Sequence, residues 1–490
     1  MRRLSEDGLA SLSDHHLLGA GAFVDGVPRL ATDRLAVTCP SSGVVIASVA
    51  CGDEELARCA IDRAADALPD WRGRLPGERA HILRRWAMLV RENQADLAMI
   101  LTLEQGKPIT EARGEIDYAA SYLDWFAGEA ERCFGQSIPA HRPGMQMHVE
   151  WAPVGIAAAI TPWNFPSAMV ARKAAAALAA GCAMIVKPAM ETPLSALALA
   201  LLARRAGVPD DILIILTGEA APLVGPLMAD SRVRALSFTG STQTGRLLLA
   251  QAAGTVKRVS MELGGHAPFI LFDDAQVDRA VADCIAAKFA TSGQDCLAAN
   301  RIFVHRPIHD HFIDAFARAT DALAVGHGLA PDTLIGPMTT AAGADKGRAH
   351  IADAIARGAR RATRRTIMGD GGAFVAPTLL RDVTEDMQVA REESFAPVAP
   401  VLAFDHEDEV IARANAGEYG LAAYLYTDDV RRAARVSRQL EYGMVGVNTP
   451  RFTGPPIPFG GWKQSGLGRE GGSAGITEYM EQRYVCSAFR

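Results

Sequence analysis

The chain is short of several things, and each shortage excludes a class of protein. Its 490 residues hold eight cysteines, Cys39, Cys51, Cys59, Cys133, Cys182, Cys284, Cys296 and Cys486, with no CxxC pair and no metal-ligand spacing. That excludes a zinc ribbon or a disulfide framework and points to free thiols in a reducing cytoplasm, most of them inert core residues. A basic excess is missing: 50 Lys+Arg face 56 Asp+Glu for a net charge of −6, which leaves no electrostatic footprint for nucleic acid. No apolar run is long enough to span a bilayer; the best, 174–186, contains Gly181 and Cys182 and reads as a buried helix followed by a strand. Arg2 and Arg3 are followed by acids rather than an apolar stretch, so the start is not a secretory signal. Low-complexity blocks and internal repeats are missing too. His305, His309 and His311 are close in sequence, but they span a strand end, a proline and a helix start and share no ligand face, and His15 and His16 stand as a bare pair. No metal is expected.

What is present is an alternation of strand and helix. The length is too great for one core, so two or three domains are expected. From Asp53 to Cys133 the apolar period is helical, with Leu56, Ala60, Ala64 and Leu68 on one face. From Gln136 to Ala152 it becomes a strand period on a segment with no neighbouring partner, which suits an arm. Beyond Val154, strands are predicted at 154–160, 183–187, 212–216, 235–238 and 256–261, with helices between them. Five such strands call for a parallel sheet covered on both faces, with ligands at the strand C-termini, where the loops carry Asn164, Lys187 and Gly240. A second α/β unit is predicted over about 267–447, and the tail alternates again at Tyr484 to Ser487.

Three segments carry reactive chemistry. Cys296 follows Gly293-Gln294-Asp295, a polar setting for a nucleophile; Glu262 sits between Met261 and Leu263, where burial raises a carboxyl toward base strength; Asn164 lies in a Pro-Trp-Asn-Phe-Pro turn and carries an amide donor. Taken singly, a small buried thiol, a surface acid and a turn residue are the commoner readings. Phe238-Thr239-Gly240-Ser241 lies between a strand and a helix, which suits a diphosphate and equally an ordinary N-capped turn. Lys187, at a strand end, suits a ribose or phosphate, or a solvated terminus. Gly466-Leu467-Gly468-Arg469-Glu470-Gly471 matches GxGxxG but follows no strand, and is not a dinucleotide fingerprint.

In order along the chain, Leu103-Glu104-Gln105-Gly106-Lys107-Pro108, Thr161-Pro162-Trp163-Asn164-Phe165-Pro166, Val186-Lys187-Pro188, Phe238-Thr239-Gly240-Ser241-Thr242, Glu262-Leu263-Gly264-Gly265, Gly293-Gln294 with Cys296, Glu392-Glu393-Ser394-Phe395 and Pro458-Phe459-Gly460-Gly461 resemble the aldehyde dehydrogenase superfamily, in particular bacterial succinate-semialdehyde dehydrogenases. The resemblance implies an α/β fold with a Rossmann-type cofactor domain (1–129 and 151–261), an α/β catalytic domain (262–470) and a small β oligomerisation element (130–150 and 471–490), assembled as a homodimer or homotetramer. It implies Cys296 as nucleophile, Asn164 as oxyanion donor and Glu262 as the base that activates water. A general base at Glu262 argues against acyl transfer to coenzyme A. The implied cofactor, NADP or NAD, would meet Trp163, Lys187, Met190, Gly240, Ser241, Leu263, Glu393 and Phe395.

Departures from the family pattern bear on specificity. Met190 stands where NAD-preferring relatives often carry a glutamate that repels a 2′-phosphate, so NADP is favoured. Arg172 matches one of two arginines that hold a substrate carboxylate, while the second position is Ala290; Arg451 and Thr453 lie in the loop before Pro458, and Arg451 offers a replacement charge. The expected substrate is a small semialdehyde acid such as succinate semialdehyde. Glutarate semialdehyde, another aliphatic or aromatic aldehyde, and a non-catalytic protein of the same fold are the alternatives.

Overall fold

The computed structural model describes residues 6–19, 22–24, 27–29, 33–367 and 372–488. Its first sheet is built on five parallel strands, Ile156–Ile160, Ala183–Lys187, Leu213–Ile215, Val233–Thr239 and Arg258–Glu262. Ile156–Ile160 lies in the middle: the next two strands add on one side of it and the last two on the other. The loops that leave Ile160 and Thr239 therefore diverge, and a crevice opens at the strand C-termini, where this sheet class binds ligands. Register brings the four strand ends level, pairing Ile160 with Lys187, Phe238 with Ile160 and Thr239 with Glu262.

Covering helices explain why these strands are continuously apolar. All fifteen residues of helix Pro166–Ala180 are buried, and Pro at its start and left-handed Gly181 (φ 95°) at its end fix its length. The second sheet has seven strands in the order Arg360–Arg361, Thr378–Arg381, Val398–Phe404, Ala299–His305, Ala267–Leu271, Ala422–Tyr426 and Met444–Val447. Each sheet lies in its own apolar core.

The arm-like segment does have a partner. Met145–Pro153 pairs antiparallel with Met480–Ala488 along its whole length and with Gln136–Ile138 on its other edge, a three-stranded sheet built from the two segments that the family resemblance had grouped. Two predicted strand starts move. The arm strand runs on to Pro153, and Gly155 (φ 123°) breaks the chain before Ile156. Val256 has φ 53° and is exposed, because the preceding helix closes through Lys257 N–H to Ala252 C=O, so the strand begins at Arg258. The antiparallel pair Arg34–Thr38 and Val45–Ala50 was not predicted. Gly466–Leu467 is a two-residue edge strand against Met261 and Glu262, in keeping with its rejection as a fingerprint. Among the described residues no helix is long and apolar enough to cross a membrane.

Candidate active site

Asn164 is positioned by a buried ion pair. Lys107 Nζ lies 2.6 Å from Glu115 Oε2 and donates to the Asn164 carbonyl at 2.8 Å. The other Glu115 oxygen accepts from Ser167 N–H at 2.9 Å and Ala168 N–H at 3.1 Å, which satisfies the first turn of helix Pro166–Ala180. The turn 161–165 is thereby locked at both ends, and Asn164 Nδ2 donates to Gln294 C=O at 3.0 Å, in the loop of the cysteine.

That loop has an uncommon backbone. Thr291 (φ 49°), Ser292 (φ 57°) and Gly293 (φ 75°) are all left-handed, which costs about 1–2 kcal/mol for each of the two non-glycine residues. Hydrogen bonds hold them there: Thr291 N–H to Glu111 Oε2 at 2.8 Å, Ser292 Oγ to Gly336 C=O at 3.0 Å, and Thr339 N–H to Gln294 Oε1 at 2.9 Å. Gly293 is obligatory, since a Cβ there would come 2.4 Å from Ala396 C=O. The turn presents Cys296 at the junction of two cavities.

The first cavity, about 520 Å³, leads to the surface past Glu111, Tyr118, Met169, Arg172, Ala290, Asp295, Arg451, Thr453 and Phe459. The second, about 250 Å³, runs toward the parallel strand ends past Trp163, Asn164, Gly240, Ser241, Glu262, Leu263, Glu393 and Phe395. Cys296 opens on both, with its thiol pushed well above the usual range by burial and by the carboxylates of Asp295, Glu393 and Glu262. Glu262 is 3% exposed, and neither of its oxygens has a hydrogen-bond partner among the described residues. Burial, then Glu470, raises its carboxyl well above the usual range against the pull of Lys173, Arg172 and Arg469. A Cβ on Gly460 would lie 2.9 Å from Glu262 Oε1, so the Pro-Phe-Gly-Gly turn closes over the acid.

The second cavity suits a dinucleotide. Ser241 caps helix Thr242–Ala253 and Gly240 lies before it, where a Cβ would be 2.5 Å from the Phe238 ring. Phe395 (φ 50°) meets Trp163 edge to face at 5.5 Å, and Glu393, its carboxyl pushed up to about 7 by burial, accepts from Gly265 N–H at 3.1 Å. Lys187 and Met190 are not on this wall; they lie at the adjoining strand end. Lys187 is buried and desolvation lowers its ammonium below the usual lysine range; Met190 is exposed.

Arg172 reaches both cavities and shares one counter-ion with Lys173: its Nη1 lies 3.3 Å from Glu470 Oε2, Lys173 Nζ pairs with Glu470 Oε1, and the guanidinium packs 4.4 Å from the Phe459 ring centre. Arg451 and Thr453 are exposed at the outer mouth. Sequence reasoning assigned no role to Glu111, Tyr118 or Glu470. The first two had a signal, for Glu111, Glu115, Tyr118 and Tyr122 recur at helical spacing on one face of Ile109–Ala130.

A family model described as the aldehyde dehydrogenase family matches residues 28–485. The chain belongs to the aldehyde dehydrogenase family. An aspartate-semialdehyde dehydrogenase (non-phosphorylating) of Halomonas elongata is 52% identical over 477 residues, 97% of each chain. A succinate-semialdehyde dehydrogenase (NADP+) of Escherichia coli is 47% identical over 477 residues, 97% of this chain and 99% of the relative. The crystal structure of an aldehyde dehydrogenase from Brucella melitensis biovar abortus superposes with a TM-score of 0.96 at 50% identity, covering 98% of this chain and 99% of that one. The fold expected from the sequence, and membership of this family, are thus established; the site geometry described above sits on that frame.

Proposed function

We propose that the protein oxidises a small semialdehyde acid to the dicarboxylate level with NADP+ or NAD+, by covalent catalysis at Cys296. The observation that carries this reading is the meeting of Cys296, Asn164 and Glu262 where the two cavities join. The aldehyde enters by the outer cavity. Cys296 Sγ attacks the carbonyl carbon after losing its proton, and Asn164 Nδ2 with the Cys296 N–H holds the oxyanion. When bound, NAD(P)+ would supply the hydride acceptor, and Cys296 would then hold the acyl group as a thioester. Glu262 takes a proton from water, hydroxide adds to the thioester, and the thiol leaves. Aldehyde, water and NAD(P)+ give carboxylate, NAD(P)H and two protons. Trp163, Gly240, Ser241, Leu263, Glu393 and Phe395 would hold the cofactor from the inner cavity; Lys187 would serve its ribose, and Met190, which carries no charge, would not repel a 2′-phosphate, which favours NADP.

The first sheet is assigned to the cofactor and the second to catalysis. The exposed outer edge of Met480–Ala488 is a pairing surface for a second copy, giving a cytoplasmic homodimer or homotetramer. Initial rates with a set of aldehydes and both cofactors test the reading. Oxidation of a semialdehyde acid, lost in Cys296→Ala, is expected; no reduced cofactor with any aldehyde would overturn it.

A further inference from the structure

The chain carries a net charge of −6, yet five of the nine residues from Arg357 to Arg365 are arginine. Arg360, Arg361, Arg364 and Arg365 line a hollow of about 940 Å³ together with Arg318 and Arg381. It lies at one edge of the second sheet, where helix His309–Asp321 meets the strands Arg360–Arg361 and Thr378–Arg381. None of its lining residues borders either cavity at Cys296.

Two of the six arginines are matched by acids. Arg360 Nε lies 2.6 Å from Asp382 Oδ2, and Arg381 Nη2 lies 2.9 Å from Asp310 Oδ1. Arg318, Arg361, Arg364 and Arg365 have no ion pair among the described residues; Arg361 Nη1 donates to Arg365 C=O at 3.4 Å and Arg365 Nη2 to Asp321 C=O at 2.9 Å. Against them stand two lining acids, Asp314, which is exposed, and Asp321. The Asp321 carboxylate already accepts the N–H groups of Arg364 at 2.9 Å and Arg365 at 3.1 Å. Those bonds, with Ala362 N–H to Leu379 C=O at 2.9 Å and Leu379 N–H to Thr363 Oγ1 at 3.2 Å, fix the segment that carries the cations. Arg365 Nε is buried and lacks a hydrogen-bond partner among the described residues, so a bound acceptor would satisfy it.

Charges on an edge strand also serve to block pairing with a foreign sheet. That accounts for Arg360 and Arg361. It does not account for Arg318 on the helix, Arg381 on the neighbouring strand, or Arg364 and Arg365 beyond the strand end, all on the same hollow. We propose that this hollow binds an oligophosphate, two or more linked phosphate groups of the kind found in a nucleoside triphosphate or in free polyphosphate. Guanidinium groups stay charged and offer paired N–H donors that match phosphate oxygens. The four unpaired ones come from the helix, the edge strand and the loop after it, so a linked anion meets more of them than a single phosphate does. The hollow is of ligand-pocket size, and its concave wall concentrates positive potential in a protein that is acidic as a whole.

Calorimetric titration of the full chain with sodium tripolyphosphate tests the assignment, and binding is expected. Arg318→Gln with Arg364→Gln, both exposed and therefore compatible with the fold, is expected to weaken it at least about tenfold. Arg431→Gln with Arg438→Gln removes the same charge from helix Val430–Gln439, where both side chains are exposed, and is expected to weaken it less than about twofold. Any tripolyphosphate held in the inner cavity is common to the two variants, so their difference reports the hollow alone. No binding by calorimetry with no shift in Tm, or an equal loss in the two variants, overturns the proposal. Orthophosphate binding as tightly as tripolyphosphate overturns it in favour of a single-anion site. Tighter binding of a single-stranded RNA oligonucleotide overturns it in favour of a nucleic-acid surface. ATP is the second arm within the proposal: affinity at or above that of tripolyphosphate assigns the site to nucleoside triphosphates, and lower affinity assigns it to free oligophosphate.

Discussion

Replacing Glu262 by Gln separates the two halves of the proposed reaction. The side chain is 3% exposed and its carboxylate has no hydrogen-bond partner among the described residues, so an isosteric amide removes little from the packing beneath Gly460. What it removes is the proton acceptor. A positioned general base is worth roughly 10²–10⁴ in rate, about 3–5.5 kcal/mol of activation free energy. Thioester formation does not need that base for water, and its hydrolysis does. Rapid mixing of Glu262→Gln with aldehyde and cofactor is therefore expected to give about one equivalent of reduced cofactor per Cys296, then turnover slowed by that factor. Mass spectrometry of the stalled protein should find the acyl group on the Cys296 peptide. Steady turnover within about tenfold of the parent, or no initial burst, refutes the role. Stability gives a second readout. Burial raises the Glu262 carboxyl above 4.5, so over the range between its unfolded and folded values the native state binds the proton that the unfolded state has lost. Native stability then falls as pH rises through that range, and Glu262→Gln, which never ionises, is expected to become progressively more stable than the parent.

Met190→Glu places a carboxylate at the strand end after Lys187 and is expected to lower the NADP:NAD ratio of kcat/KM about tenfold or more; an unchanged ratio in initial-rate assays removes Met190 from cofactor choice. Glu115→Gln breaks the buried pair with Lys107 and is expected to cost about 3–5 kcal/mol in denaturant unfolding; a loss below about 1 kcal/mol would show that the ammonium finds other partners. Lys288 is fully buried against Asn300 Oδ1 at 2.7 Å, and burial lowers it from 10.5 to about 7. The native state releases that proton before the unfolded chain does, so stability rises with pH across this window, and Lys288→Met should flatten the rise in Tm.

The parallel sheet was legible because its strands are apolar on both faces and its helices end at glycines such as Gly181, signals that act within a few residues. Cys296, Glu262 and Asn164 were legible for a related reason: each sits in a short segment whose backbone demands, such as Gly293 against Ala396, leave a local mark. What stayed hidden depends on distant pairing. The family resemblance, not the residues near Met145, joined this segment to Met480–Ala488, and nothing near Arg172 announces that it will share Glu470 with Lys173.

The counter-ion at Glu470 also imposes an order in time. Glu470 stands 298 and 297 positions beyond Arg172 and Lys173. At about 5–20 residues per second, that interval is roughly 15–60 s, during which the two cations have been made and the counter-ion they share has not. The edge strand Gly466–Leu467, which borders Glu262, is made just before Glu470. A nascent chain therefore carries its reactive thiol long before it carries the setting that controls it. The final locking of Glu262 awaits the synthesis of a segment far down the chain.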